Sequence, residues 1–252
     1  MWALPATSQT VSLASHMAVY DLKLAEANEG GGVESARGRI VMEFDNSCTG
    51  NIVNQRMLVE IGNAGGGKVI SDYHISTFED TDAKTMRFSV SNAVNGRVVT
   101  ESDGIAEKTA EDGRVTFSDD TIEPMTLPKG VLYPTGHTLE ILKAAQAGKN
   151  ILSAKIFDGN GLEGLQDSLT IIGKKSGKVS EVIEKNGMAD AKSWSVQMSF
   201  FDLGKQTNEP DYEVRFRMFE NGVGSDLYLK YQDFSMKGEL VQLDLKEAKS
   251  CN

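Results

Sequence analysis

The strongest constraint on this chain is an alternation of period two, repeated along most of its length and interrupted by turn dipeptides. The stretch from Gly38 to Ile61 shows the unit. On the way in, Ile40, Met42 and Phe44 alternate with Arg39, Glu43 and Asp45; on the way out, Met57, Val59 and Ile61 alternate with Arg56, Leu58 and Glu60. One apolar face and one mostly polar face mark a half-buried antiparallel strand. Ala18 to Leu24, Val69 to Glu79 and Met86 to Val90 repeat the pattern, as do Ile151 to Phe157, Ser168 to Ile172, Val179 to Lys185, and Leu227 to Phe234. Asn95-Gly96 is a hairpin signal, because a type I′ turn needs positive φ at both central residues. Asp103-Gly104, Asp112-Gly113, Asn186-Gly187, Asn221-Gly222 and Lys237-Gly238 read as turns of the same kind. About fourteen strands with a turn signal between neighbours make a long antiparallel meander. A sheet that large curls or splits, so the expected fold is all-β, a meander closed into an open barrel.

One segment departs from this texture. Pro124, Pro128 and Pro134 break regular pairing, and Thr135 can cap a helix over 136–147, with Leu139 and Leu142 on one side and Glu140 and Lys143 on the other. Nothing nearby resembles a linker. The expected organisation is an extended N-terminal arm over 1–15 and a single domain over 16–252, a length common for one all-β domain.

Charge excludes several partners. The 252 residues carry a formal net charge of −10, which argues against nucleic acid and against docking on anionic lipid through basic residues. No apolar run is long enough to span a membrane as a helix. No export signal is visible at the start.

Cys48 sits in the connection within the Gly38 to Ile61 unit, and the other cysteine is Cys251, second from the C-terminus. A disulfide between them would close a loop of 203 residues, from position 48 to position 251, for which the chain-entropy model gives about 5 kcal/mol. Two unrelated thiols are the alternative. The polar setting of Cys251 favours pairing, since an unpaired thiol there would be exposed. A structural disulfide implies an oxidising compartment and a mature chain whose export signal has been removed.

Sequence patterns that suggest catalysis or cofactors fail on context. Gly62 to Lys68 fits most of a P-loop, but Val69 replaces the hydroxyl that holds magnesium, and strands flank it where a helix should follow. Gly159, Gly161 and Gly164 fit a dinucleotide-binding fingerprint, yet the segment after them is too short for its helix. Asp158-Gly159-Asn160 starts like a calcium loop but continues with Leu162 and Glu163. His16, His74 and His137 lack partners at metal-ligand spacing; His74 reads as a half-exposed strand residue and His137 as a support for the helix. A carboxylate pair for glycoside cleavage could lie among the 36 acidic residues, but nothing singles it out. No cofactor, no metal and no enzymatic activity are expected.

Two stripes invite a binding role. Trp194, Val196, Met198 and Phe200 alternate with polar residues, as do Tyr212, Val214, Phe216 and Met218. They either fill the core or line a ligand cavity, since large curled sheets enclose more room than side chains fill. Met42, Met57, Met86, Met198 and Met218 would give an adaptable lining.

The segment from Gly38 through Cys48 to Gly50, followed by Gln55 and Arg56, resembles the signature of the cell envelope integrity protein EipB family of alphaproteobacteria. So do Leu127 to His137, Ser193-Trp194 and a cysteine near the C-terminus. The resemblance implies a periplasmic β-spiral similar in shape to the lipoprotein carriers LolA and LolB. It also implies a disulfide that maps onto Cys48 and Cys251, and a role in maintaining the envelope without enzymatic activity. The expected partner is a lipid or another envelope protein, with a LolA-like carrier of acyl chains as the alternative.

Overall fold

A computed structural model describes residues 11–174, 177–203 and 209–247. The strands β1 (His16–Ala27), β2 (Val33–Ser47), β3 (Gly50–Asn63), β4 (Lys68–Asp80), β5 (Thr85–Val94), β6 (Arg97–Lys108), β7 (Gly113–Phe117) and β8 (Met125–Leu127) follow one another across the sheet. Helix α1 (Pro134–Gln146) then carries the chain to the opposite edge. There β9 (Ile151–Phe157) begins a second run through β10 (Leu165–Lys174), β11 (Ser193–Asp202), β12 (Tyr212–Phe219), β13 (Gly224–Lys230) and β14 (Phe234–Leu245). All neighbouring strands are antiparallel. The result is the expected all-β meander, curled into a nearly closed barrel.

The chain does not start at one edge of the sheet and end at the other. β14 pairs with β1 in the middle of the sheet, from His16 opposite Leu245 to Ala27 opposite Phe234. The edges are β8 and β9, and the crossover fastens them together. The Leu132 N–H donates to Lys155 O at 2.8 Å, and the Phe157 N–H donates to Leu132 O at 2.9 Å. Lys108 Nζ donates to Val131 O at 3.0 Å and lies 3.8 Å from the Tyr133 ring centre. Behind this bridge Phe88 of β5 meets Phe157 of β9 edge to face, with ring centres 5.4 Å apart, a favoured aromatic geometry.

Register explains the inner face. Phe44, Val53, Thr77, Phe88, Gly104 and Phe117 stand opposite one another on six successive strands, so they share one side of the sheet. Inside the curl α1 lies across one end. Its Ile141, Leu142, Ala144 and Ala145 pack with Ile172 of β10, Val196 of β11, Met218 of β12 and Phe44 of β2.

The helix begins at Pro134, whose missing N–H suits a first helical position. Thr135 therefore lies in the first turn and does not cap it; Tyr133 occupies the N-cap position without a side-chain cap bond. The cap comes from across the barrel. Glu79 of β4, only 1% exposed, accepts the Thr135 N–H at 2.7 Å and the Gly136 N–H at 3.2 Å. A carboxylate there satisfies two helix donors and faces the positive end of the helix dipole.

Three further sequence expectations are corrected. The segment expected as a strand over Val179 to Lys185 holds a one-turn helix, α2 (Glu181–Lys185), with Ile183 fully buried and a Glu181–Lys185 ion pair at 2.7 Å. Its Glu- and Lys-rich sequence favours the helix. Asp103-Gly104 and Lys237-Gly238 are not turns, because both glycines lie inside strands. A Cβ at Gly104 would fall 2.5 Å from Thr116 O and 2.7 Å from the Phe88 ring, and one at Gly238 would fall 3.0 Å from Leu22 and Leu227; atoms of neighbouring strands require the missing Cβ. The last turn falls instead between Lys230 and Phe234. By contrast, Asn95 and Gly96 have φ of 52° and 77°, as a type I′ turn demands. As expected, residues 62–68 connect β3 to β4, and β10 follows Gly164, so strands stand where either nucleotide motif needs a helix. Of the arm over 1–15, residues 1–10 lie outside the described residues. Leu13 is buried, and the Ala14 N–H donates to Asn221 O at 2.9 Å.

Candidate functional site: an interior cavity

The side chains on the inner face do not fill the barrel. Between them lies a cavity of about 620 Å³, with Pro134, Thr135 and Thr138 of α1 in its wall, a size typical of small-molecule sites.

The two stripes divide. Met198, Tyr212, Val214, Phe216 and Met218 line the cavity. Val196 is fully buried against α1. Phe200 is buried and stacks on Tyr212 with ring centres 4.5 Å apart. Trp194 packs at the edge of the α1 cluster and borders a separate depression of about 400 Å³ beside Arg217. The alternation fixes the face of all eight residues, but not which of them meet open space: Met198, Phe216 and Met218 border both the α1 cluster and the cavity. Of the methionines, Met42, Met57, Met198 and Met218 reach the cavity, whereas Met86 is fully buried in the cluster around Phe88 and Tyr133.

The apolar lining comes mainly from β1–β3 and β12–β13, opposite the seam, with Ile40, Met42, Met57, Val214, Phe216 and Leu229; Gln55 of β3 and Glu213 of β12 stand among them. On the seam side, Ile75 of β4 apart, the lining is mainly polar. Ser71 and Tyr73 of β4, Asn92 of β5, Gln166 of β10, and Asp158 and Asn160 beyond β9 contribute there. Sequence reading missed this polar wall. Asp158 and Asn160 stood out only in a failed calcium motif, and the strand that carries Tyr73 gave no sign of being close to Asp158. Asp158 Oδ1 accepts the Asn160 N–H at 2.9 Å, which turns its carboxylate inward.

Burial and neighbours set the charges. Burial pushes the Asp158 carboxyl up to about 6, although the N–H of Asn160 opposes the rise. Burial, reinforced by the negative charge of Asp158, holds the Tyr73 and Tyr212 hydroxyls above the usual phenol range, so both stay neutral. Tyr20 donates to Gly224 O at 2.9 Å, and Tyr212 donates to Gln166 Oε1 at 3.4 Å. His16, 2% exposed, is held below its ordinary value by burial. Its Nδ1 lies 2.7 Å from Ala14 O, and a carbonyl only accepts, so Nδ1 carries the proton. Its Nε2 has no hydrogen-bond partner. None of the described lining residues is Lys or Arg.

The other candidates fall elsewhere. His74 is half exposed and lies 3.0 Å from Asp72. His137 is buried beside Ser168 Oγ at 3.4 Å. Cys48 lies in the turn between β2 and β3, and Cys251 lies outside the described residues.

The sequence matches the EipB-like family model over residues 7–247. It is 31% identical to the cell envelope integrity protein EipB of Brucella abortus (strain 2308), over 97% of this chain and 90% of that protein. It also superposes with a TM-score of 0.86 on the crystal structure of a beta-barrel-like protein of a domain of unknown function from Brucella abortus, at 30% identity, over 94% of this chain and all of that one. With the meander, the crossover helix and the cavity in place, the chain belongs to the EipB-like family.

Proposed function

We propose that this chain helps maintain the integrity of the cell envelope by binding, without chemistry, the acyl chain of an envelope amphiphile in its interior cavity. The observation that carries the reading is the interior cavity of about 620 Å³ with its mainly apolar side, rich in adaptable methionine. Each CH₂ moved from water into such a wall is worth about 0.8 kcal/mol. The relative named for envelope integrity supports the cellular role.

A periplasmic setting and a Cys48–Cys251 disulfide belong to the same reading. No free cysteine is present among the described residues. β1 alone separates β14 from β2 in the sheet: the Lys246 N–H donates to Ser15 O at 2.8 Å, while Ser15 Oγ accepts the Asn46 N–H at 2.8 Å. From Lys246, five residues extend at most about 17 Å, enough to cross two strand spacings of about 4.8 Å each.

The test is purification from envelope extract, lipid analysis of the native complex, and rebinding of a decyl-chain amphiphile to stripped protein. Val214→Trp, which fills the apolar wall, should lower affinity by at least ten-fold while the melting temperature stays within a few degrees. Recovery of the ligand unmodified accords with binding alone; a cleaved ligand, or unchanged affinity in Val214→Trp, contradicts the proposal. A carrier function on the LolA pattern is favoured by one further observation, that the apolar space lies inside the barrel rather than on its outer surface. It predicts transfer of bound ligand between vesicles.

A further inference from the structure

We propose that the cavity selects amphiphiles whose head is uncharged and bears hydroxyl groups, and rejects those with a carboxylate head. This rests on the acyl-chain reading above and names the ligand class that the same site takes.

The inference follows from an inventory of donors and acceptors. An apolar tail fits against the Ile40 and Phe216 side. The head then meets the seam wall, where Asp158 stands with Tyr73, Tyr212 and Gln166. Asp158 is an acceptor when ionised. The hydroxyls of Tyr20 and Tyr212 are already donated to Gly224 O and Gln166 Oε1. His16 Nε2, on the β1 side of the cavity, is a buried acceptor without a partner. The cavity thus offers acceptors and uncharged donors, among them the Tyr73 hydroxyl and the side-chain amides of Asn92, Asn160 and Gln166, and among the described residues no lining Lys or Arg to balance an anion. A carboxylate head would bring a second negative charge beside Asp158 and no hydrogen to donate. Burying such a charge unpaired is strongly unfavourable. A glycerol or sugar head brings hydroxyl donors at no charge cost, and sites built to hydrogen-bond a hydroxyl reject analogues without it.

Calorimetric titration of the stripped protein at pH 8 with four decyl-chain probes separates the outcomes. The probes are 1-decanoylglycerol, decyl glucoside, decanoate and decyltrimethylammonium. The expected result is that at least one of the two hydroxylated heads binds ten-fold or more tighter than decanoate and tighter than the cation; which of the two leads distinguishes an acylglycerol source from a glycolipid source. Equal or tighter binding of decanoate overturns the inference, as does tightest binding of the cation, since charge would then rule. Binding of none of the four overturns the underlying acyl-chain reading instead. Asp158→Asn keeps the Oδ1 that accepts the Asn160 N–H, so it should fold. It should bind decanoate several-fold better than the parent while its affinity for the preferred hydroxylated probe changes less. An unchanged ratio in this variant refutes the role of Asp158.

Discussion

Replacing Glu79 by leucine tests how the barrel seam is held. The carboxylate accepts two N–H groups from the first turn of α1, at 2.7 and 3.2 Å, and is 1% exposed. Leucine leaves the buried Thr135 N–H and the part-buried Gly136 N–H without this partner. Each orphaned donor costs about 1–3 kcal/mol, while removing the buried carboxylate returns part of its desolvation penalty. The net loss is roughly 2–4 kcal/mol, or about 6–12 °C in melting temperature for a domain of this size. The pH dependence gives a second readout. Burial raises the carboxyl above its ordinary value, more than the N–H groups lower it. A carboxyl raised in the folded state gives stability that is fully present below its unfolded value, 4.5, and is lost as pH rises through the folded one. The gap between the parent and Glu79→Leu should therefore narrow as pH rises above 4.5. Glu79→Gln should fall between them, since one oxygen still accepts the Thr135 N–H but the amide group faces the Gly136 N–H. Thermal unfolding by circular dichroism at several pH values checks both. A Glu79→Leu melt within about 1 °C of the parent at pH 5, or a gap that widens with pH, refutes the reasoning.

Two further outcomes follow from buried groups and from the ends of the chain. Burial lowers the imidazole of His137 from 6.5 to about 4, so the unfolded chain binds a proton that the folded one refuses, and stability is lost as pH falls from 6.5 toward 4. The full drop corresponds to about 3 kcal/mol. His137→Gln should remove that slope in urea unfolding at pH 7 and pH 4.5, and an identical slope in both proteins would show that the imidazole is not the group responsible. Cys48→Ser should lower the melting temperature by roughly 5–10 °C under non-reducing conditions with strand content unchanged, because β1 and β14 stay paired; equal melting of variant and parent would show that no disulfide contributes.

The sequence made some parts of this structure legible and hid others for physical reasons. A period of two is a local signal, so the faces of β2, β3, β11 and β12 could be read directly, and Asn95-Gly96 declared its turn through the backbone conformation it alone tolerates well. Gly104 and Gly238 carried the same dipeptide signature for a different reason: the side chains of Phe88, Leu22 and Leu227 stand where a Cβ would be, and those residues are distant in sequence. The α1 cap was missed in the same way, because Glu79 lies 56 positions from Thr135. The polar wall was hidden because Tyr73, Asp158 and Tyr212 meet only once the sheet has curled.

The order of strands also changes what the termini do. A meander that began at one edge and finished at the other would need a clasp between its ends to stay shut. Here the ends are joined in mid-sheet by eleven opposed residue pairs between β1 and β14, so a disulfide beside them would act mainly on the unfolded chain, through loop entropy. The thin closure lies on the far side, where β8 has three residues and, among the described residues, an isolated bridge at Leu132 joins β9. That seam carries Asp158 and the start of α1, and both border the cavity. Loosening α1 through Glu79 should therefore weaken ligand binding together with stability, whereas loss of Cys48 should lower stability and leave affinity unchanged at temperatures where the protein stays folded.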